Sequence, residues 1–398
     1  MIKRDLVSDI KDTLFWYNRE NKIIFLPIHA FSLSIWIMLC KLLFKRRITN
    51  KNKKVIAFTS LYFNGNARAV FEYMTEKFED KYNCFWIARN VITYKHLRKL
   101  KKPVVYLYFP FVALNLVTNT SALVTNDSYL FFLFPRKPKT IQLWHGEGPK
   151  GITPNYKGCD AWCVPSEFIR ERHIRLWKAP KEKLYVCGSP RLDILNNYLM
   201  GSKEKMLEEL GIKDGKRVVL YAPTFDVGLW PWGDQYKGFE ELCKFCKENN
   251  LILILRLHPL AKVNRMRIRK ILKRYDNVYW MDMPTEPDTM KLLAIADILI
   301  TDWSSIYTDF FLTRRPIVYL ETEPDYYLKE RGKSQVPPEF RAGEISENNR
   351  EFFQALRNIL NKGNRYYDEQ KKLFENIYGK VDGKASERVA KVIQQVTG

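Results

Sequence analysis

From Val55 to Leu320 the chain keeps returning to one arrangement: a short uninterrupted apolar run, a turn rich in Gly, Ser, Thr, Asn or Asp, and then a helical pattern. VIAFTS (Val55 to Ser60) reads as a strand and Ala67 to Lys77 as a helix. Further strands fall near Cys84 to Ala88, Val104 to Tyr108, Leu123 to Thr125, Ile141 to Trp144 and Ala161 to Val164, with a helix at Ser166 to Lys178. Tyr185 to Pro190 closes this set, and Arg191 to Lys205 crosses into a second one. There the strands are Val218 to Tyr221, Leu251 to Leu257, Val278 to Trp280, Ile298 to Thr301 and Ile317 to Leu320, and the helices lie at about Phe239 to Glu248, Val263 to Tyr275, Thr289 to Ala294 and Ser304 to Leu312. Strands that are apolar on both faces must be covered on both, and alternating helices supply the cover, so the fold class is α/β with parallel sheets. A chain of 398 residues exceeds what one core usually supports. Two similar α/β halves imply a cleft between them. The expected divisions are 1–53, 54–195, 196–350 and a helical remainder, 351–398, that packs back on the first half.

The charge limits the partners. With 66 Lys and Arg against 44 Asp and Glu, the formal net charge is +22, which calls for an anionic partner or surface. Nucleic acid, acidic lipid and phosphorylated small molecules all qualify. There is no GxxxxGK[ST], no GxGxxG after the first strand and no aromatic-basic RNA signature, so nucleic acid falls away. Lys262, Arg265, Arg267, Arg269, Lys270, Lys273 and Arg274 crowd one expected helix, either as a solvated face or as a surface for anionic lipid. Seven cysteines, without a regular framework, point to a reducing compartment. Cys243 and Cys246 have CxxC spacing, but no strand-turn-strand knuckle surrounds them or Cys159 and Cys163, so they read as core or helix-surface cysteines rather than zinc ligands.

Residues Ile23 to Cys40 contain no Asp, Glu, Lys or Arg and are flanked by Lys22 and by Lys41, Lys45, Arg46 and Arg47. Pro27, His29, Ser32 and Ser34 weaken a spanning helix, and the run starts too deep for a signal peptide. An in-plane anchor held by Trp36 and the basic cluster is one reading, and a buried core helix the other.

Chemistry gathers at strand ends. In ADILITDWSSIYTDFFLTRRPIVYL (Ala296 to Leu320) a strand breaks into Thr301, Asp302, Trp303, Ser304 and Ser305 before a helix, the arrangement in which unpaired N–H donors meet phosphate. Capping by Ser304 is the plainer alternative. His145 follows the strand IQLW in a glycine-rich loop, and His258 follows LILILRL before Pro259, in what reads as the equivalent place in the second half. Two such histidines could meet across one cleft, whereas His29, His96 and His173 look incidental. Thr224 tips the second half's first strand in YAPTFD. Gly65 and Asn66 tip the first half's first strand and could cradle an anion. Arg191 and Asp193 in GSPRLD sit at the crossing, as ligand contacts or as an interdomain ion pair.

These segments resemble a known family. FNGNARAVFEY (Phe63 to Tyr73), WHGEGPK (Trp144 to Lys150), GSPRLD, YAPTF, RLHP (Arg256 to Pro259) and ADILITDWSSIYTDF occur in the order found in CDP-glycerol glycerophosphotransferases of teichoic acid synthesis. The resemblance spans roughly Val55 to Leu320. It implies a GT-B-like pair of Rossmann-like domains, membrane-associated on the cytoplasmic face. It also implies transfer of glycerol phosphate, or ribitol phosphate in relatives, from a CDP-activated donor to a hydroxyl of a lipid-linked saccharide, with release of CMP. On this footing His145 is the general base. His258, Thr224, Arg256, Ser304 and Ser305 serve the donor and the developing charge on CMP, and Asp309 reaches a ribose hydroxyl. Gly65, Asn66, Gly146, Glu147, Lys150, Arg191 and Asp193 lie on the acceptor side.

No paired-carboxylate motif compels a metal, and no cofactor is expected beyond CDP-glycerol as donor. The partners are then a CDP-polyol, a polyprenyl-diphosphate-linked saccharide and an anionic membrane surface, without nucleic acid; a homo-oligomer is compatible. One departure stands out: where the family often has Thr-Pro after WHG, Glu147, Gly148 and Pro149 precede the retained Lys150. A carboxylate there could orient the base, raise its pKa or meet a different acceptor. The length favours a primase-like enzyme over a larger polymerase. A GT-B glycosyltransferase using a nucleotide sugar and a non-enzymatic membrane adaptor are the competing readings.

Overall fold

In the computed structural model the described residues are 26–43, 53–127, 129–212, 215–225, 227–258, 261–282, 285–327 and 332–398. The charged segment 1–25, the basic cluster Lys45, Arg46 and Arg47, and the motif residues Asp226 and Pro259 lie outside them.

Two parallel sheets form. The first holds β1 (Lys54–Ser60), β2 (Tyr82–Ala88), β3 (Val104–Tyr106), β4 (Thr120–Thr125), β5 (Lys139–Gln142), β6 (Ala161–Val164) and β7 (Leu184–Val186), in the order β3-β2-β1-β4-β5-β6-β7. The second holds β8 (Val218–Tyr221), β9 (Ile252–Leu255), β10 (Val278–Trp280), β11 (Ile298–Thr301), β12 (Ile317–Leu320) and β13 (Glu344–Ser346), in the order β10-β9-β8-β11-β12-β13. Every named pair is parallel, which makes two Rossmann-like domains of the GT-B kind. The strand order reverses between β1 and β4 and between β8 and β11, and at such switch points the carboxyl ends of the strands open a crevice for ligands. His145 follows β5 and His258 follows β9, so the two histidines do not occupy matching places: one lies outward of its switch point past β4, the other past β8.

The terminal helices tie the halves together. Asn349–Lys362 buries Phe352, Leu356 and Ile359 on the second sheet. Ala385–Thr397 returns to the first, where Val389, Ala390 and Ile393 pack on β4 to β6. Tyr367–Tyr378 runs between them, against Phe310 and Phe311.

The apolar run forms the helix Leu26–Leu43. Among the described residues no helix is long and apolar enough to cross a membrane. One stripe of this helix is core: His29, Ser32, Leu33, Trp36 and Cys40 are buried beside Val105, Tyr108 and Leu133. On that stripe the Ser32 hydroxyl donates to the Tyr108 carbonyl (2.7 Å), the Trp36 indole donates to the Leu133 carbonyl (2.8 Å), and the His29 ring stacks on Tyr108. The opposite stripe, Ile28, Phe31, Met38 and Leu42, faces outward.

Candidate active site

His145 stands on a strained turn. Trp144 takes a left-handed backbone (φ 56°), which costs a bulky residue free energy unless its surroundings impose it. They do. The Gln142 side-chain carbonyl accepts from the Trp144 N–H (3.0 Å), and the buried Asn66 amide donates to the carbonyls of Leu143 (3.0 Å) and Trp144 (3.2 Å). Asn66 Oδ1 in turn accepts from Ser189 Oγ (3.2 Å) and the Arg191 N–H (3.0 Å). One side chain therefore joins three of the sequence motifs. This replaces the anion-cradle expectation for the Gly65–Asn66 loop: the Ala67 N–H at its helix start is taken by Asn126 Oδ1 (3.0 Å), and a Cβ on Gly65 would stand 3.0 Å from Asn126 Nδ2.

His145 itself remains accessible to solvent, with its ring 4.4 Å from that of Trp144. It stands deep between the domains, and this partial desolvation, aided by Arg191, holds its pKa below the ordinary histidine value. Asp127 and the Asn126 carbonyl oppose the shift. A shift in this direction favours the neutral imidazole, the form that can accept a proton. Asp127 is itself paired with Arg89 at 2.7 Å. Asn126 and Asp127 were missed in the sequence, although both directly follow an expected strand.

The loop beyond His145 is clamped to the second domain. The Thr308 hydroxyl lies 2.7 Å from the Glu147 carbonyl, the Val336 N–H donates to the Gly148 carbonyl (3.1 Å), and Gly151 bridges Ser334. Gly146 and Gly148 lie flat on Ser305: a Cβ on Gly148 would fall 2.8 Å from the Ser305 Cβ. Lys150, expected on the acceptor side, reaches the second domain, with Nζ 5.7 Å from the Phe225 ring and 5.3 Å from the Tyr327 ring, where its charge acts on Asp302. The Glu147 side chain turns inward. It is 4% exposed and lines a small internal cavity with Asn66, Cys163 and Ser189. Burial pushes its carboxyl up to about 7 against the pull of Arg191. The charges acting on His145 are those of Asp127 and Arg191.

Arg191 and Asp309, placed by expectation on acceptor and donor, meet each other. Nε and Nη2 of Arg191 each lie 2.8 Å from an Asp309 carboxylate oxygen, and Tyr378 donates to Asp309 Oδ1 at 2.6 Å. Both side chains are buried, so the interdomain ion-pair alternative describes Arg191, with Asp309 as the partner, while Asp309, expected at a ribose hydroxyl, is taken up by the pair. Asp193 accepts from the Ala385 N–H (2.9 Å) and fixes the start of the last helix. A second interdomain link, absent from the sequence reading, joins Arg68, Asp288 and Tyr198.

In the second domain both the hydroxyl and the N–H of Thr224 bind the fully buried carboxylate of Asp302, whose pKa burial raises. Arg256 is buried and donates to the carbonyls of Met281 (3.0 Å) and Glu286 (2.8 Å), beyond β10, and to the Thr289 hydroxyl (2.7 Å); burial brings its pKa down to about 10. The His258 ring packs 5.2 Å from Phe225. Ser304 and Ser305 precede only a five-residue helix, Ile306–Phe310, and Ser305 makes no side-chain cap. His173 is a core residue, between the Tyr156 hydroxyl (2.7 Å) and Gln335 (3.1 Å), with its pKa driven to about 4 by burial. Cys243 and Cys246 are buried thiols, and among the described residues no cluster of three or more His, Cys, Asp or Glu could hold a metal ion.

The family described as CDP-Glycerol:Poly(glycerophosphate) glycerophosphotransferase matches residues 41–395. The teichoic acid ribitol-phosphate polymerase TarL of Staphylococcus aureus is 26% identical over 65% of this chain and 48% of its own length. The teichoic acid glycerol-phosphate transferase of the same organism is 25% identical over 86% of this chain and 93% of its own. The chain thus spans about half the length of some curated relatives and nearly all of another. Among solved structures, the wall teichoic acid polymerase TagF superposes with a TM-score of 0.69 at 20% identity, covering 98% of both chains, a likeness of fold.

Proposed function

The chain belongs to the CDP-glycerol:poly(glycerophosphate) glycerophosphotransferase family, and on that premise we propose that it transfers glycerol phosphate from CDP-glycerol to a hydroxyl of a lipid-linked saccharide in teichoic acid synthesis. The observation that carries the reading is His145: an accessible imidazole that follows a left-handed turn whose surrounding polar groups are spent holding it there. In this reading His145 Nε2 or Nδ1 takes the acceptor's hydroxyl proton as the oxygen attacks the phosphorus bearing glycerol. The new P–O bond forms as the bond to the CMP phosphate breaks, and CMP leaves with the bonding pair. His258, with Lys150 nearby through Phe225, offsets the charge growing on that phosphate. The chemistry rests on side chains and calls for no cofactor.

A ribitol donor is the second reading, favoured by the 26% identity to a ribitol-phosphate polymerase. The decisive experiment offers CDP-glycerol, CDP-ribitol and UDP-sugars with a lipid-linked disaccharide and identifies the released nucleotide. CMP from CDP-glycerol supports the proposal, CMP from CDP-ribitol alone moves it to the relative, and UDP replaces it with a glycosyltransferase.

We further assign the protein to the cytoplasmic face of the membrane. Support for a membrane contact comes from the outward stripe of Leu26–Leu43 and from exposed Phe109, Phe111 and Val112; the Phe111 ring packs on Trp36 of the same helix at 5.3 Å. Exposed apolar side chains of this kind suit the interfacial region of a bilayer.

A further inference from the structure

Three charged or titratable side chains leave the carboxyl end of the first sheet: Arg89 after β2, Asp127 after β4 and His145 after β5. The last two are held in register. Thr125 stands opposite Gln142 on the paired strands, and the Leu143 N–H donates to the Thr125 carbonyl (2.8 Å). Gln142 carries that alignment past the strand ends. Its amide donates to the Asp127 carbonyl (3.1 Å) while its Oε1 accepts from the Trp144 N–H (3.0 Å), so one side chain fixes both the residue before the imidazole and the residue that bears the carboxylate.

Asp127 is held twice more. Its N–H donates to Thr125 Oγ1 (3.1 Å), and its carboxylate accepts from Arg89 Nη1 (2.7 Å) across β1. The pair runs outward: the Arg89 side chain is 4% exposed and that of Asp127 30%. A buried guanidinium needs a carboxylate wherever it lies, so a brace between β2 and β4 is the plainest account of the pair. It does not account for the carboxylate's place, partly open to solvent and in register with the residues around an exposed histidine. From there its charge opposes the burial and the Arg191 cation that favour the neutral imidazole. The other charges around the loop are committed elsewhere: Arg191 to Asp309 of the second domain, Glu147 inward, and Lys150 to Phe225 and Tyr327.

We propose that Asp127 is the positioning residue of His145, a carboxylate that holds the ring and stabilises the imidazolium formed when the acceptor hydroxyl gives up its proton, and that Arg89 sets how much of that charge the ring receives. The inference rests on His145 as proton acceptor and adds the group that makes it a stronger one. In the step the acceptor O–H bond breaks, its proton joins the lone pair of an imidazole nitrogen, and the oxygen bonds to phosphorus as CMP departs with the bonding pair. The ring stays cationic until it passes the proton to solvent, and Asp127 offsets that charge.

The chain has five histidines, so protein labelled in its imidazole rings is simple enough to titrate by NMR, and His145→Ala identifies the signal to follow. Asp127→Asn should move the His145 midpoint down by roughly half a pH unit or more and lower kcat at least about tenfold, with KM for CDP-glycerol little changed. Arg89→Gln should move the midpoint the other way, because the carboxylate then acts on the ring without a competing cation. Asp127→Glu should restore part of the shift and of the rate. Arg89→Gln combined with Asp127→Asn should titrate like Asp127→Asn alone, since Arg89 works through the carboxylate. A midpoint unmoved in Asp127→Asn, or moved the same way by both single variants, makes the pair a brace and overturns the inference, whatever the melting temperatures do. Shifts as expected in a protein that releases no CMP from any donor remove the transferase reading instead, and the catalytic step with it.

Discussion

Arg191 and Asp309 form a two-pronged ion pair across the domain boundary, each nitrogen-to-oxygen contact at 2.8 Å and neither side chain more than 7% exposed. Breaking such a pair strands a charge in a poorly solvated place. Arg191→Ala or Asp309→Ala should each cost about 3–5 kcal/mol in urea unfolding, while Arg191→Met with Asp309→Leu should recover most of it. Wild-type stability in Asp309→Ala would show that the pair does not hold the domains.

Glu147 gives stability a pH dependence of definite sign. Its folded pKa is raised to about 7 from an ordinary 4.5, so folding favours the protonated carboxyl. The contribution is complete below pH 4.5 and is lost as pH rises through 7, a change of about 3 kcal/mol. Glu147→Gln lacks this loss. The stability difference, variant minus wild type, should therefore grow in favour of the variant between pH 5 and 8; a difference independent of pH would place the carboxyl in water.

His145→Ala and His258→Ala should each abolish CMP release with little change in melting temperature, a loss of at least ~10² in rate for the proton acceptor. Because the pKa of His145 is held below 6.5, the acid limb of the wild-type rate profile should fall below that value. Asp127→Asn removes an opposing charge and should carry the limb lower still. A limb above 6.5 would assign the proton transfer to another group.

Gly148→Ala places a methyl 2.8 Å from the Ser305 Cβ and 3.1 Å from its Cα. The backbone contact cannot be relieved by a rotamer, so a loss of about 1–3 kcal/mol is expected. Ser305→Gly in the same chain should restore only part of it, as read by thermal unfolding.

Phe31→Asp with Val112→Asp alters two side chains that are 69% and 87% exposed. Sedimentation with anionic vesicles should fall more than about tenfold while the melting temperature stays put. Undiminished sedimentation would move the membrane contact elsewhere.

The sheets were legible because each strand is a local signal: VIAFTS and ILIT are apolar throughout and bounded by turn residues. β13 escaped because it is three residues on a sheet edge with Ile345 exposed, too short and too solvated to show a pattern. The histidine loops could be found from strand ends, and by the same rule so could Asp127. The roles of Asn66, Arg191 and Asp309 could not be read so directly. Their partners lie 77 to 125 residues away, and a polar side chain satisfied by a distant carbonyl or carboxylate leaves no periodicity behind. The helix Leu26–Leu43 was ambiguous for a physical reason: one side meets a protein core and the other does not, and both want apolar residues.

The flat seat of Gly146 and Gly148 on Ser305 works like a dovetail. Because the segment that begins with His145 and ends with Lys150 is keyed into the opposite domain at three points along its length, the two halves cannot swing apart without dragging the His145 imidazole with them. Opening and misalignment are then one event, and substrates must enter along the side of the crevice that this joint leaves free.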